Sequence, residues 1–385
     1  MNTSWWRILN QLSDSQKLFI GLPPYGKHLL EGPPGSGKTN LLLLRAEFMA
    51  GSGYPNCLII TYTNTLANFI RSGISAKQLI SSNQIRTYHS WAYDHIMLSL
   101  GERPMPPNAE FDEASRKELA KLVAESNASL PSLKVYDAIF VDEAQDLTCE
   151  ELQLLLQLSD NVCICGDTRQ GIYNRDGLEV PEFVALQRHT LTEHFRIGHR
   201  IARVADRLIP PNPGTPSLEE TSNYNPQLQG ESSANLHSCT TRDQQFEQML
   251  DLIKIQLVAF SGDSIGIVCG RKDTRKELRE RFDGTDLATM VYVHGVDKNP
   301  NFLERPIHVL TMHGSKGTEF RALHMFGIEE LNDNLLRRTK LSYTAVTRAK
   351  TSLNAYKTGS TTKALESAFS EPKHFNLTDL FEDAK

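Results

Sequence analysis

GPPGSGKT at positions 32–39 follows the apolar pair Leu29-Leu30 and precedes a leucine run at positions 41–44. The octet has the spacing of a phosphate-binding loop, in which a glycine and four free positions are followed by Gly, Lys and Ser or Thr. Its glycines let successive backbone N–H groups face a phosphate at the start of the next helix. The sequence therefore predicts a strand, a phosphate loop and a helix in this order.

We expect residues of this loop to hold the phosphates of a nucleotide. Lys38 would reach the β- and γ-phosphates, and the Thr39 hydroxyl would bind Mg²⁺, which keeps several of its waters. The other predicted contacts to the nucleotide come from Gly32, Gly35, Ser36 and Gly37. A glycine-rich helix start that binds no nucleotide is the alternative, and so full a match makes it the weaker one.

An acidic motif, VDEAQD at positions 141–146, follows the apolar segment Ala138–Val141. Phosphate ligands of parallel sheets lie at the carboxyl ends of the strands. Asp142 is therefore predicted to bind Mg²⁺, and Glu143 to orient and deprotonate the attacking water. By itself the motif would suit a solvated turn, but behind a phosphate loop it indicates nucleotide hydrolysis.

Composition sets wide bounds on the class of protein. With 385 residues, 39% of them hydrophobic, the chain can form two or three domains. A formal net charge of -5 neither supports nor excludes nucleic-acid binding, because a basic groove can exist on an acidic protein. The six cysteines lack metal-ligand spacing and predict buried thiols in a reducing compartment. The amino-terminal segment does not resemble a signal peptide and no apolar run is long enough to span a membrane, so we expect a cytoplasmic protein with no membrane association.

Apolar segments that resemble buried strands alternate with helical patterns in both halves of the chain. The predicted strands are at positions 58–61, 139–141, 162–165, 264–269, 289–293 and 307–312, and a charged helix is predicted at 273–282. A segment rich in Pro, Asn and Ser at positions 210–233 interrupts the pattern as a linker or a long surface loop. The alternation predicts an α/β protein with two doubly wound parallel sheets.

Nine motifs in one order carry a resemblance to a known family. Besides the two above, they are LSDSQ (12–16), TYTN (61–64), TYHSW (87–91), GDTRQGIY (166–173), LTEHFRIGHRIA (191–202), VLTMHGSKGTEF (309–320) and LSYTAVTRAK (341–350). From about Leu12 to about Tyr356 the chain resembles the UvrD/Rep-like branch of superfamily 1 helicases. The resemblance implies two RecA-like domains, at about residues 1–195 and 196–372, and a tail at 373–385.

The resemblance also implies roles at the nucleotide. Gln16 would read the adenine edge and Phe195 would stack on the adenine, while Glu319 would bind the ribose. Gln170 and Arg196 would contact the γ-phosphate. Arg348, from the second domain, would neutralise charge developing in the transition state, as an arginine finger does.

Nucleic-acid contacts are implied at the ends of several strands, with hydroxyl, amide and ring groups suited to phosphates and bases. The candidate residues are Thr63, Asn64, Tyr88, His89, Tyr173 and His313. Taken singly, these motifs would also suit strand ends with a surface tyrosine, or a histidine without a ligand. The RNA-remodelling relatives in this superfamily usually have a proline-rich ending where GDTRQGIY has Ile-Tyr, so the resemblance implies single-stranded DNA rather than RNA.

The chain also departs from the family pattern. Positions 92–141 leave room only for a small helical piece around Phe111 to Ala128 where full helicases carry a large insertion, and the second insertion, expected just before Ile307, is missing. Asn40 replaces an arginine that often covers the adenine, which leaves Phe195 as the obvious stacking partner. Arg175 lies near the place of a tryptophan that stacks on a DNA base, and its guanidinium plane could stack instead. These features indicate a minimal motor core.

The sequence thus predicts an ATP- and Mg²⁺-dependent translocase or helicase that moves along single-stranded DNA, with 3′ to 5′ direction implied by the resemblance. An alternative is a DNA-activated ATPase switch that gates a partner, such as a nuclease, in a repair or phage-defence complex without processive unwinding. A phosphate-loop kinase acting on a metabolite is weaker, because it gives the second α/β unit no role.

Overall fold

The fold was analysed in a computed structural model. The structure describes residues 6, 9–74, 78–101, 113–172, 175–178, 185–297, 305–333 and 339–370. Within these ranges the strands form two sheets of six strands each, and every pair of neighbouring strands is parallel. The predicted α/β class with two parallel sheets is confirmed. Tyr173 and the tail at 373–385 lie outside the described residues.

The first sheet, with its helices, is here called the N-terminal lobe, and its strands lie in the order β3-β2-β4-β5-β1-β6. The strands are β1 (Lys27–Glu31), β2 (Cys57–Thr61), β3 (Ile85–Thr87), β4 (Ala138–Val141), β5 (Val162–Gly166) and β6 (Gln187–Thr190). The helices are α1 (Asp14–Ile20), α2 (Lys38–Gly51), α3 (Asn64–Ser72), α4 (Tyr88–Leu100), α5 (Glu113–Ser129) and α6 (Cys149–Leu156). Because all strands run the same way, the loops after β1, β4 and β5 meet at one edge of the sheet.

The second sheet, with its helices, forms the C-terminal lobe, in the order β7-β12-β11-β8-β10-β9. Its strands are β7 (Ser233–Cys239), β8 (Ile265–Cys269), β9 (Val291–Val293), β10 (Ile307–Thr311), β11 (Phe320–Met325) and β12 (Ala349–Thr358). Its helices are α7 (His199–Leu208), α8 (Pro226–Gln229), α9 (Arg242–Ala259), α10 (Lys272–Asp283), α11 (Thr339–Val346) and α12 (Lys363–Phe369). The strand predicted at 289–293 is shorter than expected, because residues Ala288–Met290 form a 3-10 turn before β9.

Both sheets are covered by helices on both faces. All residues of β2, β4, β5 and β8 are buried, which is why these strands read as continuous apolar runs rather than as alternating patterns. Buried hydrophobic residues form four clusters in the described residues, two in each lobe. The sheets therefore act as rigid platforms for the loops at their carboxyl edges.

The segment at 210–233 is attached to the C-terminal lobe. The hydroxyl of buried Tyr224 donates to the carbonyl of Gly230 over 2.8 Å and lies 2.9 Å from the Thr351 hydroxyl of β12. Ser222 forms an isolated parallel bridge with His194. These contacts pack the segment against β12 and against the residues that follow β6. The domain boundary near 195/196 stays a prediction.

Three further expectations concern the small helical piece, the cysteines and membrane-spanning helices. The helical piece expected around Phe111 to Ala128 is present as α5, although positions 102–112 lie outside the described residues. The six cysteines lie within the described residues and form no disulfide, and five of them are buried. Among the described residues, none of the helices combines the length and apolarity needed to cross a bilayer.

A buried histidine makes the stability of the C-terminal lobe dependent on pH. His324 lies in β11 between the Tyr356 hydroxyl, at 2.9 Å, and the Gln256 side-chain oxygen, at 2.8 Å. Burial, with a smaller effect from His237, lowers the pKa of His324 from 6.5 to about 3. Between these two values the unfolded chain binds the proton that the folded chain excludes, so this stabilising contribution is present above pH 6.5 and is lost as the pH falls.

We therefore expect His324→Gln to reduce the acid sensitivity of folding. The wild-type protein should lose up to about 2 kcal/mol relative to the variant between pH 7 and pH 5, since one pKa unit corresponds to about 1.4 kcal/mol. The measurement is the free energy of unfolding by urea at both pH values. A difference between the two proteins that does not change with pH would contradict the assignment.

Candidate ATP site and nucleic-acid surface

The phosphate loop joins β1 to α2 and is already closed around its lysine. Gly35 and Gly37 have φ values of 80° and 90°, which favour glycine and let the backbone curl. The Lys38 ammonium donates to the carbonyls of Gly32 at 2.8 Å and Pro33 at 3.1 Å, and Lys38 is only 8% exposed. The loop therefore holds a positive charge in the place where a phosphate would be bound.

The remaining predicted loop residues support this geometry. A side chain at Gly32 would place its Cβ 2.9 Å from Cβ of Leu191, so this position has no room for one. Ser36 is fully buried, and its hydroxyl has no hydrogen-bond partner among the described residues. A buried hydroxyl without a partner is uncommon, and a bound phosphate oxygen would satisfy it.

Thr39 and Asp142 form a pair of oxygen groups at the same edge. The Thr39 hydroxyl donates to the Asp142 carboxylate over 2.7 Å, and the Cys165 thiol and Glu143 amide donate to its other oxygen. Burial, followed by the adjacent Glu143 charge, raises the pKa of Asp142 to about 6. A hydroxyl and a carboxylate beside a phosphate loop fit Mg²⁺, which prefers oxygen ligands. Among the described residues, no cluster of three or more His, Cys, Asp or Glu side chains could hold a metal alone, so phosphates and water would complete the coordination.

Glu143 lies directly after Asp142 in an unusual backbone conformation. Its φ of 54° is in the left-handed region, where a non-glycine residue is strained, and such strain is frequent at functional sites. Its carboxylate accepts from the Gln145 amide and lies 3.5 Å from the Lys316 ammonium. Burial opposes ionisation, but the charges of Lys316, Arg348 and Lys38 outweigh it and lower the pKa of Glu143. Glu143 is thus an ionised carboxylate held beside the phosphate loop.

Lys316 is a site residue that sequence reasoning did not assign. It belongs to the C-terminal lobe, in the turn after β10, yet its ammonium donates to Asp146 at 2.7 Å and to the Gln170 carbonyl at 2.8 Å in the N-terminal lobe. Lys316 is 1% exposed. The only signal in the sequence is a lysine between Ser and Gly in a motif after a buried strand.

Arg348 also crosses between the lobes. Its guanidinium donates to the Gln170 side-chain oxygen, and its Nε is fixed by the Thr344 carbonyl at 2.9 Å. The residue is 3% exposed. The approach is close, since a Cβ on Gly317 would lie 2.7 Å from Cδ1 of Leu66 in α3. The structure therefore brings together Gln170 and Arg348, which are predicted to act on the same phosphate.

Arg196 and Glu319 meet at the other side of the same cavity. Their side chains form an ion pair, and the Lys350 ammonium lies 3.7 Å from Glu319. Phe195 is fixed on the phosphate loop, since its backbone N–H donates to the Gly35 carbonyl over 3.3 Å. These residues line one cavity of about 300 Å³ together with Lys38, Thr39, Glu143, Gln170 and Arg348. Trp6 and Phe69 line it as well, and sequence reasoning assigned neither of them.

Gln16 lies against the loop but does not line this cavity. Its side-chain NH₂ donates to the Ser36 carbonyl over 2.9 Å, and its oxygen accepts from the Ser13 backbone N–H over 3.0 Å. Both ends of the amide are therefore used within the protein, and reading an adenine edge would require exchange of these bonds. The adenine role of Gln16 stays a prediction, whereas a role in holding the phosphate loop follows from the contacts.

Two family models match the chain, and each matched segment contains residues that line this cavity. A model of the AAA domain matches residues 24–176, and a model of the UvrD-like helicase C-terminal domain matches residues 306–356. The first match contains the phosphate loop and Glu143, and the second contains Lys316, Glu319 and Arg348. The predicted resemblance to the UvrD-like helicases of superfamily 1 is thus confirmed by matches in both halves of the chain.

Individual relatives match this UvrD-like chain only in part. F-box DNA helicase 1 of Gallus gallus is 39% identical over 83 residues, which are 21% of this chain and 8% of that protein. The chain described as "The structure of PRRSV helicase" is 14% identical, with a TM-score of 0.41, over 92% of this chain and 57% of that one. The chain thus corresponds to only a small part of the first relative and to little more than half of the second.

The residues predicted to contact nucleic acid are differently placed. Thr63 caps α3 by accepting from the Leu66 N–H over 3.2 Å, and the next residue, Asn64, is exposed. His313 is half-buried in the turn that carries Lys316. Because β2 and β3 are neighbours in register, with Thr61 opposite Thr87, the motifs TYTN and TYHSW begin side by side at the ends of these strands. The turn at Gly317 abuts α3, so residues of both lobes border this edge.

Tyr88, predicted to contact nucleic acid, lies in the core of the N-terminal lobe. Tyr88 is 0% exposed and belongs to the core cluster with Trp91, because α4 begins at this residue and turns it towards the sheet. Its ring cannot stack on a base without opening the core. The short motif TYHSW does not reveal which face of the helix its tyrosine occupies.

His89 and Arg175, which were considered for nucleic-acid contacts, both interact with charged or aromatic groups of the protein. Burial, then the charges of Arg116 and Arg175, lower the pKa of His89 to about 4, so it is neutral at pH 7 and offers no positive charge to a phosphate. The Arg175 guanidinium lies 5.0 Å from the centre of the Tyr62 ring and donates to the Asp146 carbonyl over 2.6 Å. The stacking surface of Arg175 is therefore used by Tyr62 within the protein.

Proposed function

We propose that the chain is an ATP-dependent motor that binds single-stranded DNA and hydrolyses ATP between its two lobes. The observation that carries this proposal is the insertion of Lys316 and Arg348 from the C-terminal lobe into the polar groups around the phosphate loop. A nucleotide at this site would contact both lobes, so its binding and loss would change how they are held together. This arrangement suits a motor better than it suits a kinase, which needs no second α/β unit.

Each polar group would then have one task in the cycle. Lys38 would bind the phosphates, while Gln170 and Arg196 would detect the γ-phosphate. Glu143 would accept the proton of the attacking water, and Arg348 would stabilise the charge that develops on the transferred group. Mg²⁺, held by Thr39 and Asp142, would supply charge neutralisation of the β- and γ-phosphates when bound.

The ion pair between Arg196 and Glu319 indicates how these two side chains are paired before a nucleotide binds. In this structure Arg196 and Glu319 form an ion pair with each other, and the Lys350 ammonium lies beside Glu319. An incoming triphosphate would compete for Arg196, and a ribose hydroxyl would take over Glu319. Binding would therefore exchange one set of charged contacts for another rather than desolvate free charges.

Movement along DNA would follow from alternating closure of the lobes. Thr63, Asn64 and His89 at the N-terminal lobe and His313 at the C-terminal lobe would form the two grips, with Tyr173 as a further candidate. The direction from 3′ to 5′ rests on the resemblance to the family. The preference for DNA over RNA rests on the same motifs.

The direct test uses duplexes with a single-stranded tail at the 3′ or the 5′ end. The proposal predicts ATP-dependent strand separation from the 3′ tail only, and none with Lys38→Ala. Separation from the 5′ tail only would contradict the direction. Hydrolysis without any response to DNA would contradict the motor itself.

A second candidate is a DNA-activated ATPase switch that gates a protein partner, such as a nuclease. It is favoured by the direct pairing of β9 with β10, where only positions 294–306 separate the two strands and leave no room for a large insertion that engages duplex DNA. Strong stimulation of hydrolysis by single-stranded DNA without separation of either tailed duplex would support this candidate over the first.

We expect Lys316→Met to weaken coupling between the lobes. The substitution leaves Glu143 and Asp146 buried without their shared cation, and loss of one member of a buried ion pair costs about 3–5 kcal/mol when the partners cannot rearrange. Because part of this cost would fall on the closed state, the KM for ATP should rise about tenfold or more. The measurement is ATP hydrolysis at saturating DNA.

The exposed Lys363 of α12 provides the matched control. Lys363→Met also removes one positive charge from the C-terminal lobe, but at a residue with no proposed role at the ATP site. We therefore expect its KM for ATP to equal that of the wild type. Equal KM values for Lys316→Met and Lys363→Met would contradict the coupling role.

A further inference from the structure

One wall of the ATP cavity has no role in the scheme above. Trp6 lines this cavity beside Gly37, Asn40 and Phe195. Its ring stacks on Phe69 of α3, with the ring centres 4.9 Å apart and the planes 22° from parallel. An indole fixed in this way presents a flat apolar surface next to the start of α2.

The end of α3 is shaped to receive this indole. A Cβ on Gly73 would lie 2.2 Å from a ring carbon of Trp6, so any other residue at position 73 would displace the ring. The backbone of Gly73, with φ −91° and ψ −4°, is one that every residue can adopt. The glycine is therefore needed for space and not for conformation, which indicates that the position of Trp6 is built into the fold.

Apart from Trp6 and Phe69, Phe195 is the aromatic residue among the described residues that line the cavity. Phe195 is attached to the phosphate loop through its backbone N–H. Asn40 is 9% exposed, and its short amide provides less stacking surface than an aromatic ring. A base held by Phe195 would thus have one covered face, and the indole of Trp6, which is itself stacked on Phe69, is available to cover the other.

We infer that Trp6 is a base-stacking residue of the nucleotide site, so that the base lies between Phe195 and the face of the indole not covered by Phe69. This inference rests on the proposed ATP site and deepens it. Stacking on an indole is available to every base, because every base has a π-face. Trp6 would therefore increase affinity for nucleotides generally, and it would add nothing to the binding of a triphosphate without a base.

The test compares ATP with inorganic tripolyphosphate, both with Mg²⁺, as ligands of the full chain in equilibrium binding experiments. Trp6→Leu, which keeps an apolar side chain but removes the ring, should raise the Kd for ATP about tenfold and leave the Kd for tripolyphosphate unchanged. Trp6→Phe should lose little. Tryptophan fluorescence of the wild type should change on ATP binding, and this change should persist in Trp5→Phe and disappear in Trp6→Phe.

The outcomes separate this inference from the proposed function. Unchanged ATP affinity in Trp6→Leu, or equal losses for ATP and tripolyphosphate, would overturn the stacking role, the latter indicating that Trp6 only supports the fold. Lys38→Ala should weaken both ligands, and if it does so while Trp6→Leu changes neither, the ATP site stands and the inference fails. A wild-type chain that binds neither ligand would overturn both.

Discussion

Glu143→Gln should lower the kcat of DNA-stimulated ATP hydrolysis by about 10²–10⁴-fold, the usual range for loss of a general base. The amide has almost the same shape as the carboxylate but cannot accept the proton of the attacking water. Since the phosphates would be bound by Lys38 and the loop N–H groups, the Kd for ATP should stay close to the wild-type value. Steady-state hydrolysis and equilibrium binding of the same preparation measure the two quantities.

Glu150 provides the control for this experiment, because it is an exposed glutamate in the first turn of α6. Glu150→Gln should hydrolyse ATP at the wild-type rate. Hydrolysis that survives in Glu143→Gln would mean that another group activates the water. Loss of ATP binding in the same variant would mean that the substitution disturbs the loop, and the role of Glu143 as base would have to be withdrawn.

Arg348→Ala should have a larger effect on kcat, about 10³–10⁵-fold, as expected for an arginine finger. The guanidinium is buried, reaches Gln170 from the other lobe and is fixed by the Thr344 carbonyl, so it needs little reorganisation to meet charge developing on a phosphate. Arg348→Lys should restore little of the activity, because an ammonium lacks the planar fork of donors. Hydrolysis at saturating ATP and DNA is the measurement.

Arg271 is a suitable control for Arg348 in the same lobe. It forms an exposed ion pair with Asp333 at 2.6 Å, and such pairs contribute little to stability. Arg271→Ala should leave kcat unchanged. If Arg348→Ala behaved like Arg271→Ala, the proposed site would be confined to the N-terminal lobe, and the closure of two lobes around ATP would lose its main support.

The fold was largely predictable because its signals are local. Strands buried on both faces are continuous apolar runs, and β4 and β5 were predicted to within one residue at either end. The phosphate loop and the acidic motif have fixed spacings that each describe one turn of the backbone. For such features, a window of ten residues contains the physical cause.

The contacts between the lobes were less predictable. Lys316 and Asp146 are 170 positions apart in the chain, and nothing in the local sequence of either indicates the other. Trp6 lies outside the motifs, and its importance depends on a glycine at position 73. The burial of Tyr88 was not predictable, because a short motif at a strand end does not show where the following helix turns its first side chain. Contacts between residues so far apart in the chain can be identified only from the folded structure.

The central claim is that hydrolysis at this site is coupled to a nucleic-acid strand, and steady-state ATP hydrolysis tests it most directly. The purified chain would be measured without nucleic acid, with single-stranded DNA and with RNA of the same sequence, beside Glu143→Gln. We expect the ATP hydrolysis rate of the wild type to rise strongly with DNA and less with RNA. Neither nucleic acid should raise the rate of Glu143→Gln. An ATP hydrolysis rate that is the same under all three conditions, and that depends on Glu143, would contradict the claim and leave an ATPase without a nucleic-acid motor.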